Sequence, residues 1–148
     1  MTRLTTPVHV VSVGHPVYSQ TFPCEPSTAE IGRRLLRDVL GIWRLDNLAD
    51  HAALIVTELI ANATRHTPCH EIRLLVERPS ATRLRVGVLD REPARLPTLS
   101  QADADDESGR GLLLIDAVAD RWGYDLRSSG GRPWGKEVWA ELRIEDGS

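Results

Sequence analysis

The stretch ELIANATRHT, residues 58–67, is where the sequence changes from a helical to a β pattern. Apolar residues in and before it recur at intervals of about three or four, the spacing of one face of a helix. Thr67 and Pro68 end this helix, because proline disfavours the helical conformation in the residue before it. The segments that follow, 71–79 (EIRLLVERP) and 83–90 (RLRVGVLD), are rich in branched apolar residues and predict two strands joined by a short turn.

The remaining segments extend this order of helices and strands in both directions along the chain. Apolar periodicity or β-rich composition marks each predicted element, and turn residues such as Gly and Pro separate them. In chain order the predicted elements are strands at 8–13 and 18–22, helices at 28–43 and 46–66, strands at 71–79 and 83–90, a helix at 109–122, and β segments at 123–129 and 136–144. Helices adjacent in sequence and strands joined by tight turns indicate an α+β fold. We expect a two-layer α/β sandwich, with helices on one face of a mixed, mainly antiparallel sheet.

Length and composition restrict the class of protein. The 148 residues favour a single domain, 1–148, with edge strands in about the first 21 residues. A net charge of -3 and a pI near 5.9 argue against a protein that binds nucleic acid through a basic surface. No apolar run approaches the ~20 residues of a membrane helix and no signal-peptide pattern opens the chain, so we expect no membrane association and a cytoplasmic location. Cys24 and Cys69 are too few for a disulfide scaffold, and we expect reduced thiols.

Four polar residues interrupt the end of the apolar helix that ELIANATRHT closes. Glu58 and Asn62 are four residues apart and therefore lie on the same side of the helix. Arg65 and His66 occupy the last turn, where positive charge complements the helix dipole. Taken alone, these residues could form a solvated polar flank. As a site they would suit Mg²⁺, which an Asn oxygen can bind, and a carboxylate could take a proton from an attacking hydroxyl.

Two further signals are weak when each is considered alone. Asp90 ends an apolar strand, where it either starts a turn or accepts hydrogen bonds at the rim of a pocket, for example from an adenine amino group. Gly109 and Gly111 allow a close approach of the backbone, and Arg110 between them suits a phosphate. These glycines follow a stretch without periodicity, 91–108, which is how a lid over a nucleotide would look, although glycine before a helix is also common in ordinary loops.

The order in which these signals follow one another along the chain is more specific than any one signal alone. An E-x-x-x-N pattern on a helix, an Asp after a strand and G-R-G-L after a loop resemble the GHKL ATPase superfamily. Within that superfamily the chain is similar to small actinobacterial anti-sigma-factor proteins that resemble serine kinases and bind ATP. The resemblance covers roughly Phe22 to Leu142 and is most specific in ELIANATRHT, DREP, GRGLLLIDAVADRWGY and GKEVWAEL. It implies the Bergerat fold of histidine-kinase-like ATPases, with Mg²⁺-ATP held between helices and a loop lid at 91–110.

The resemblance also implies roles for individual residues. Glu58 would be the general base, Asn62 would ligate Mg²⁺, and Asp90 would accept the adenine amino group. Further contacts to the nucleotide are implied for Arg65, His66, Gly109, Arg110, Gly111 and Leu112.

The function implied by the resemblance is that of a serine/threonine protein kinase acting as an anti-sigma factor. Its acceptor would be a serine or threonine of an anti-sigma-factor antagonist of the STAS type, and its other partner a sigma factor held inactive by direct binding. Relatives often pair through the sheet edge or the first strands, so we expect a homodimer.

Two departures from the family pattern favour a different function. Glu92 stands where the family often has glycine, and Glu137 stands where it usually has Thr or Ser after Gly-Lys. Both bear on ATP affinity, and they motivate the alternative of a non-catalytic partner-binding module with weak or no ATP binding. The catalytic domain of a sensor histidine kinase is a third, less favoured possibility, since it would need a phosphoacceptor helical hairpin.

Overall fold

The elements of secondary structure follow the predicted order closely. A computed structural model of the protein describes residues 15–65, 70–94 and 107–145. The described elements are β1 (Val17–Pro23), α1 (Thr28–Ile42), a 3₁₀ helix (Asp46–Leu48), α2 (Ala49–Arg65), β2 (Glu71–Ser80), β3 (Arg83–Asp90), α3 (Glu107–Val118), β4 (Arg121–Ser129) and β5 (Arg132–Arg143). The strand predicted at 8–13 lies outside the described residues.

The five described strands form one sheet in the order β1-β2-β3-β5-β4. All four pairings of neighbouring strands are antiparallel. The predicted α+β fold is therefore confirmed, and the sheet within the described ranges contains no parallel pair. In the register between β3 and β5, Asp90 at the end of β3 lies directly opposite Lys136.

The hydrophobic core lies between one face of the sheet and the helices α1 and α2. The core side chains that β3 and β5 contribute alternate along each strand; they are Leu84, Val86, Val88, Val138, Ala140 and Leu142. Gly32 of α1 lets the two helices approach, since a Cβ added there would lie 2.7 Å from Cδ1 of Ile60 on α2. Because the apolar face of α2 is fixed in this way, its polar side is held in a defined orientation above the sheet.

The helix around GRG differs from its prediction at both ends. It begins at Glu107 and ends at Val118, whereas the prediction placed it at 109–122. Gly109 and Gly111 therefore lie inside the helix rather than before it. At the other end Arg121 and the following residues pair with β5, so cross-strand hydrogen bonding takes over where sequence periodicity alone suggested more helix.

Cys24 corrects the expectation of reduced thiols. This residue is disulfide-bonded in the structure, while Cys69, the other cysteine of the chain, lies outside the described residues. The amide of Cys24 donates a hydrogen bond to the carbonyl oxygen of His70 at 3.1 Å. The prediction was wrong because it relied on the number of cysteines, which excludes a disulfide scaffold but not a single disulfide.

Candidate active site

Glu58 and Asn62 lie one turn apart on the half-buried side of α2, next to its fully buried face. Among the described residues, neither side chain has a hydrogen bond or ion pair. Half-buried polar groups without a protein partner are open to water or to a ligand. The two side chains are therefore available to a ligand, and a site formed by Glu58 and Asn62 stays a prediction.

Helix α3 packs against α2 and brings Gly111 next to Glu58. Gly111 is buried, and a Cβ added to it would lie only 2.8 Å from Oε1 of Glu58. The sequence placed these two residues in one site although they are far apart along the chain, and the structure does bring them together. A side chain at position 111 would require the end of the Glu58 side chain to move, because Oε1 is the atom nearest to the added Cβ.

The backbone amides at the start of α3 can still bind an anion, which is the role that the sequence predicts for the GRG segment. The first four N–H groups of a helix have no acceptor within the helix, so they can bind an anion. In α3 these are the amides of residues 107–110, which include Gly109 and Arg110. Leu112 is buried in the hydrophobic core with 3% exposure. Its observed role is packing, and a contact between Leu112 and a nucleotide stays a prediction.

Replacing Gly111 with alanine separates an effect on Glu58 from an effect on helix stability. Alanine favours a helix by about 1 kcal/mol over glycine, so Gly111→Ala should not lower the melting temperature through helix propensity. We expect the added Cβ to displace the Glu58 carboxylate and, under the kinase function that the resemblance implies, to slow ATP-dependent phosphotransfer roughly tenfold, since small displacements of reacting groups are costly. Paired measurements of melting temperature and rate check this, with Ala117→Ser on the exposed side of α3 as the matched control. If Gly111→Ala kept the wild-type rate, the added Cβ would not disturb Glu58 and the prediction would be contradicted.

Asp90 is buried at the end of β3 and is held by a group that the sequence analysis did not identify. Nζ of Lys136 donates to both carboxylate oxygens, at 2.9 and 3.0 Å, and to the carbonyl oxygen of Glu92 at 2.7 Å. The amide of Glu92 donates to Oδ1 of Asp90 at 2.8 Å. The bond from the amide two residues on is that of an Asx turn, the first of the two alternatives for Asp90, and its contact with adenine stays a prediction.

The signal for Lys136 was present in the sequence. It is the single lysine of the chain and stands two residues before Val138 on the face of β5 that is otherwise apolar. Lysine is almost never fully buried unless it is paired, so a lysine on such a face requires a carboxylate nearby. Identifying Asp90 as that carboxylate would have required the β3–β5 register.

Glu92 and Glu137 have different surroundings, and the effect of each on ATP affinity stays a prediction. The backbone of Glu92, through its amide and carbonyl groups, completes the polar cluster around Asp90. Glu137 lies on the opposite face of β5 from Lys136, so it does not point toward Asp90. It forms an ion pair with Arg127, and its Oε2 atom is buried without a hydrogen-bond partner. Burial raises the pKa of Glu137 to about 7, although the charge of Arg127 opposes this shift.

The face of the sheet that carries Glu137, opposite the hydrophobic core, also carries a second buried carboxylate, that of Glu141. Arg83, Arg85 and Arg121 all pair with it, at 3.0 Å from Arg83 and 2.7 Å from Arg85. The guanidinium of Arg85 also lies 4.2 Å from the ring centre of Trp139, a distance typical of a cation–π contact. Burial alone would raise the pKa of Glu141, but the hydrogen bonds from the three arginines outweigh burial and lower it to about 2.

Because Glu141 is paired with three arginines, we expect the protein to lose stability in acid. The pKa of Glu141 is about 2 in the folded protein against an ordinary value of 4.5, so its ionised form favours folding. The contribution is complete above pH 4.5 and is lost as the pH falls toward 2. We expect Glu141→Gln to lower the melting temperature at pH 7 and to flatten its decline between pH 4.5 and 2.5. Thermal denaturation across this range tests the prediction, with the exposed Glu71→Gln as control; an equal slope in both variants would contradict it.

The remaining predicted site residues are placed as follows. Arg65 is half-buried in the last position of α2. His66 lies outside the described residues, as do positions 95–106 of the predicted lid. Within the described ranges, no group of three or more His, Cys, Asp or Glu side chains is arranged to hold a metal ion.

The residues present fit Mg²⁺-ATP on three structural grounds. Asn62 offers a side-chain oxygen without a partner among the described residues, and Mg²⁺ commonly uses only one or two protein ligands beside phosphate and water. The backbone of Gly111 leaves no space for a side chain beside Glu58, as expected where a backbone closes over a site. At the end of β3, Asp90 retains acceptor capacity on Oδ2 for a base amino group.

Comparison with known proteins agrees with this geometry. An uncharacterized protein of Streptomyces coelicolor is 44% identical to this chain over 73 residues, which cover 49% of this chain and 67% of that protein. Within the described residues, no helix combines the length and apolar character needed to cross a membrane. Residues 22–141 match the histidine kinase-like ATPase domain. The chain therefore belongs to the family of histidine kinase-like ATPase domains, which implies that it binds ATP.

Proposed function

We propose that this protein is an ATP-binding regulatory serine/threonine protein kinase that acts as an anti-sigma factor. The observation that carries the proposal is the pair Glu58 and Asn62, one helical turn apart and without a side-chain partner among the described residues, together with the backbone of Gly111 beside Glu58. A regulatory domain that only binds a partner does not require this combination of carboxylate, amide and close backbone.

The reaction follows from the chemistry of these groups. The Glu58 carboxylate takes the proton from a serine or threonine hydroxyl of the partner. The hydroxyl oxygen forms a bond to the γ-phosphorus of ATP, while the bond from that phosphorus to the β–γ bridging oxygen breaks and ADP leaves. Mg²⁺ held by Asn62 would neutralise charge on the phosphates. Arg65, His66 and the first-turn amides of α3, including those of Gly109 and Arg110, would bind phosphate oxygens.

The proposed partners are proteins. The phosphate acceptor is an anti-sigma-factor antagonist of the STAS type, and a sigma factor is held inactive when the antagonist is phosphorylated. The protein acts in the cytoplasm, where ATP and sigma factors are found, and it works as a homodimer.

A non-catalytic partner-binding module is the second candidate, and one observation favours it. The Asp90 carboxylate already accepts hydrogen bonds from Lys136 and from the amide of Glu92. Protein groups thus occupy three of its roughly four acceptor sites, as would be expected of a carboxylate with a structural role. Such a module would keep the sigma factor as its partner but would not transfer phosphate.

Two measurements decide between these functions. Calorimetry with Mg²⁺-ATP tests nucleotide binding, and incubation with γ-labelled ATP and candidate STAS-type proteins tests phosphotransfer. The kinase proposal expects both binding and a labelled serine or threonine on one antagonist. Binding of a sigma factor without any binding of ATP at millimolar concentration would leave the non-catalytic module.

A further inference from the structure

We propose that Lys136 is a positioning residue that sets the base specificity of the nucleotide site. By holding Asp90, it leaves the carboxylate able to accept one further hydrogen bond, which suits adenine and disfavours guanine. The inference rests on the proposed function, because it requires that Asp90 faces the base of a bound nucleotide.

The first step is a count of acceptor sites on Asp90. An ionised carboxylate has two oxygens and about four lone-pair sites. Lys136 occupies one site on Oδ1 and one on Oδ2, at 2.9 and 3.0 Å. The amide of Glu92 occupies the second site on Oδ1 at 2.8 Å. A single site on Oδ2 remains for a ligand.

The second step concerns the donors of Lys136. An ammonium group has three N–H donors. Two are used by Asp90, and the third is used by the carbonyl oxygen of Glu92 at 2.7 Å. Lys136 therefore has no donor left for a base, and it acts only through the carboxylate that it holds.

The third step is that the carboxylate cannot turn to present both oxygens. Asp90 and Lys136 are 5% and 3% exposed and lie directly opposite each other in the β3–β5 register. The backbone of Gly135 packs against the main-chain carbonyl oxygen of Asp90, where an added Cβ would overlap with it. Strand pairing and Gly135 thus fix the main chain of Asp90, and the hydrogen bonds from Lys136 and the amide of Glu92 fix the orientation of its carboxylate.

The fourth step compares the two purine bases. Adenine presents one amino donor beside a ring nitrogen that is an acceptor, so a single carboxylate lone pair satisfies its donor. Guanine presents a ring N–H and an amino group side by side, and these two donors pair with both oxygens of an unhindered carboxylate. Because Lys136 and the amide of Glu92 together fill both sites on Oδ1, guanine would lose a hydrogen bond in this site while adenine would not.

Calorimetric titration with Mg²⁺-ATP and Mg²⁺-GTP tests the inference. The wild-type protein should bind ATP more tightly than GTP. In Lys136→Met the ratio of the GTP to the ATP dissociation constant should fall by at least about fivefold, the lower range for one good pair of base contacts. Arg143→Met removes one positive charge from an exposed position of the same strand and should leave the ratio unchanged. A purely structural role of Lys136 would weaken both nucleotides together and keep the ratio constant.

A second variant is needed because Lys136→Met leaves Asp90 buried without a cation, and this variant could fail to fold. Lys136→Gln keeps an amide donor for one carboxylate oxygen and should lower the ratio by an intermediate amount. Equal affinity of the wild-type protein for ATP and GTP, or an unchanged ratio in a folded Lys136 variant, would overturn the inference but not the proposed function. Absence of binding by both nucleotides would overturn both.

Discussion

Glu58→Gln should abolish phosphotransfer while leaving the binding of Mg²⁺-ATP close to that of the wild-type protein. Glutamine has nearly the same shape as glutamate, so it fits against Gly111, where the space is too small for an added Cβ. It cannot take a proton from the acceptor hydroxyl, and loss of a general base typically slows a reaction by about 10²–10⁴-fold. The initial rate with labelled ATP and the dissociation constant from calorimetry are the two quantities to measure.

The matched control for this experiment is Glu30→Gln on α1. It makes the same chemical change at an exposed position, where the ion pair with Arg34 contributes little to stability. We expect its rate and affinity to equal those of the wild-type protein. If Glu58→Gln retained the full rate, Glu58 would not be the base; if it lost ATP affinity and rate to the same extent, its role would lie in binding.

Glu137→Gln should stabilise the protein at pH 8 by up to about 3 kcal/mol, the free energy of a pKa shift of this size. Oε2 of Glu137 is buried without a partner, and ionisation of the carboxyl group is therefore costly in the folded state. The charges that act on it are those of Arg127 and Arg85, which favour ionisation, and of Glu77 and Asp125, which oppose it. Glutamine removes the charge, and Arg127 is exposed enough to be solvated without it.

The sign of the pH dependence provides the sharper test. The folded-state pKa of about 7 is above the ordinary value of 4.5, so the folded protein binds the proton more tightly than the unfolded chain. Stability from this group is present below pH 4.5 and is lost as the pH rises to about 7. Urea denaturation at pH 5 and pH 8 should show that Glu137→Gln gains more over the wild type at pH 8. Glu71→Gln, at an exposed position of β2 whose charge is not among those acting on Glu137, is the control; an advantage of the Glu137 variant that did not vary with pH would contradict the prediction.

The helices and strands were predicted best where apolar residues recur at regular intervals along the sequence. The strand at 83–90 has the predicted bounds, and the helix predicted at 28–43 differs by one residue, since each has an uninterrupted apolar pattern. The strand predicted at 136–144 actually begins at Arg132, before Pro133 and Gly135. Those residues indicate a turn locally, but cross-strand pairing with β4 extends the strand through them.

The candidate site was predictable where it depends on spacing within one helix. Glu58 and Asn62 needed only the helical repeat, and Gly111 needed only the order of motifs. The ion pair between Lys136 and Asp90 could not be predicted in this way. It depends on which residues of β3 and β5 lie opposite each other. That register is set by packing across the whole sheet, and no short stretch of sequence encodes it.

The alternation of charge along β5 has a consequence for how the chain reaches its native pairing. Lys136 and Glu137 are neighbours that point to opposite faces of the sheet, and only Lys136 faces Asp90. If β5 paired one residue out of step, every side chain would change face, and Glu137 would lie against Asp90 in place of the lysine. Two carboxylates would then be buried together without a cation, while the lysine would leave the core. Mispaired forms are thus penalised during assembly, and the residues that fix Asp90 also help this strand to find its correct partner positions.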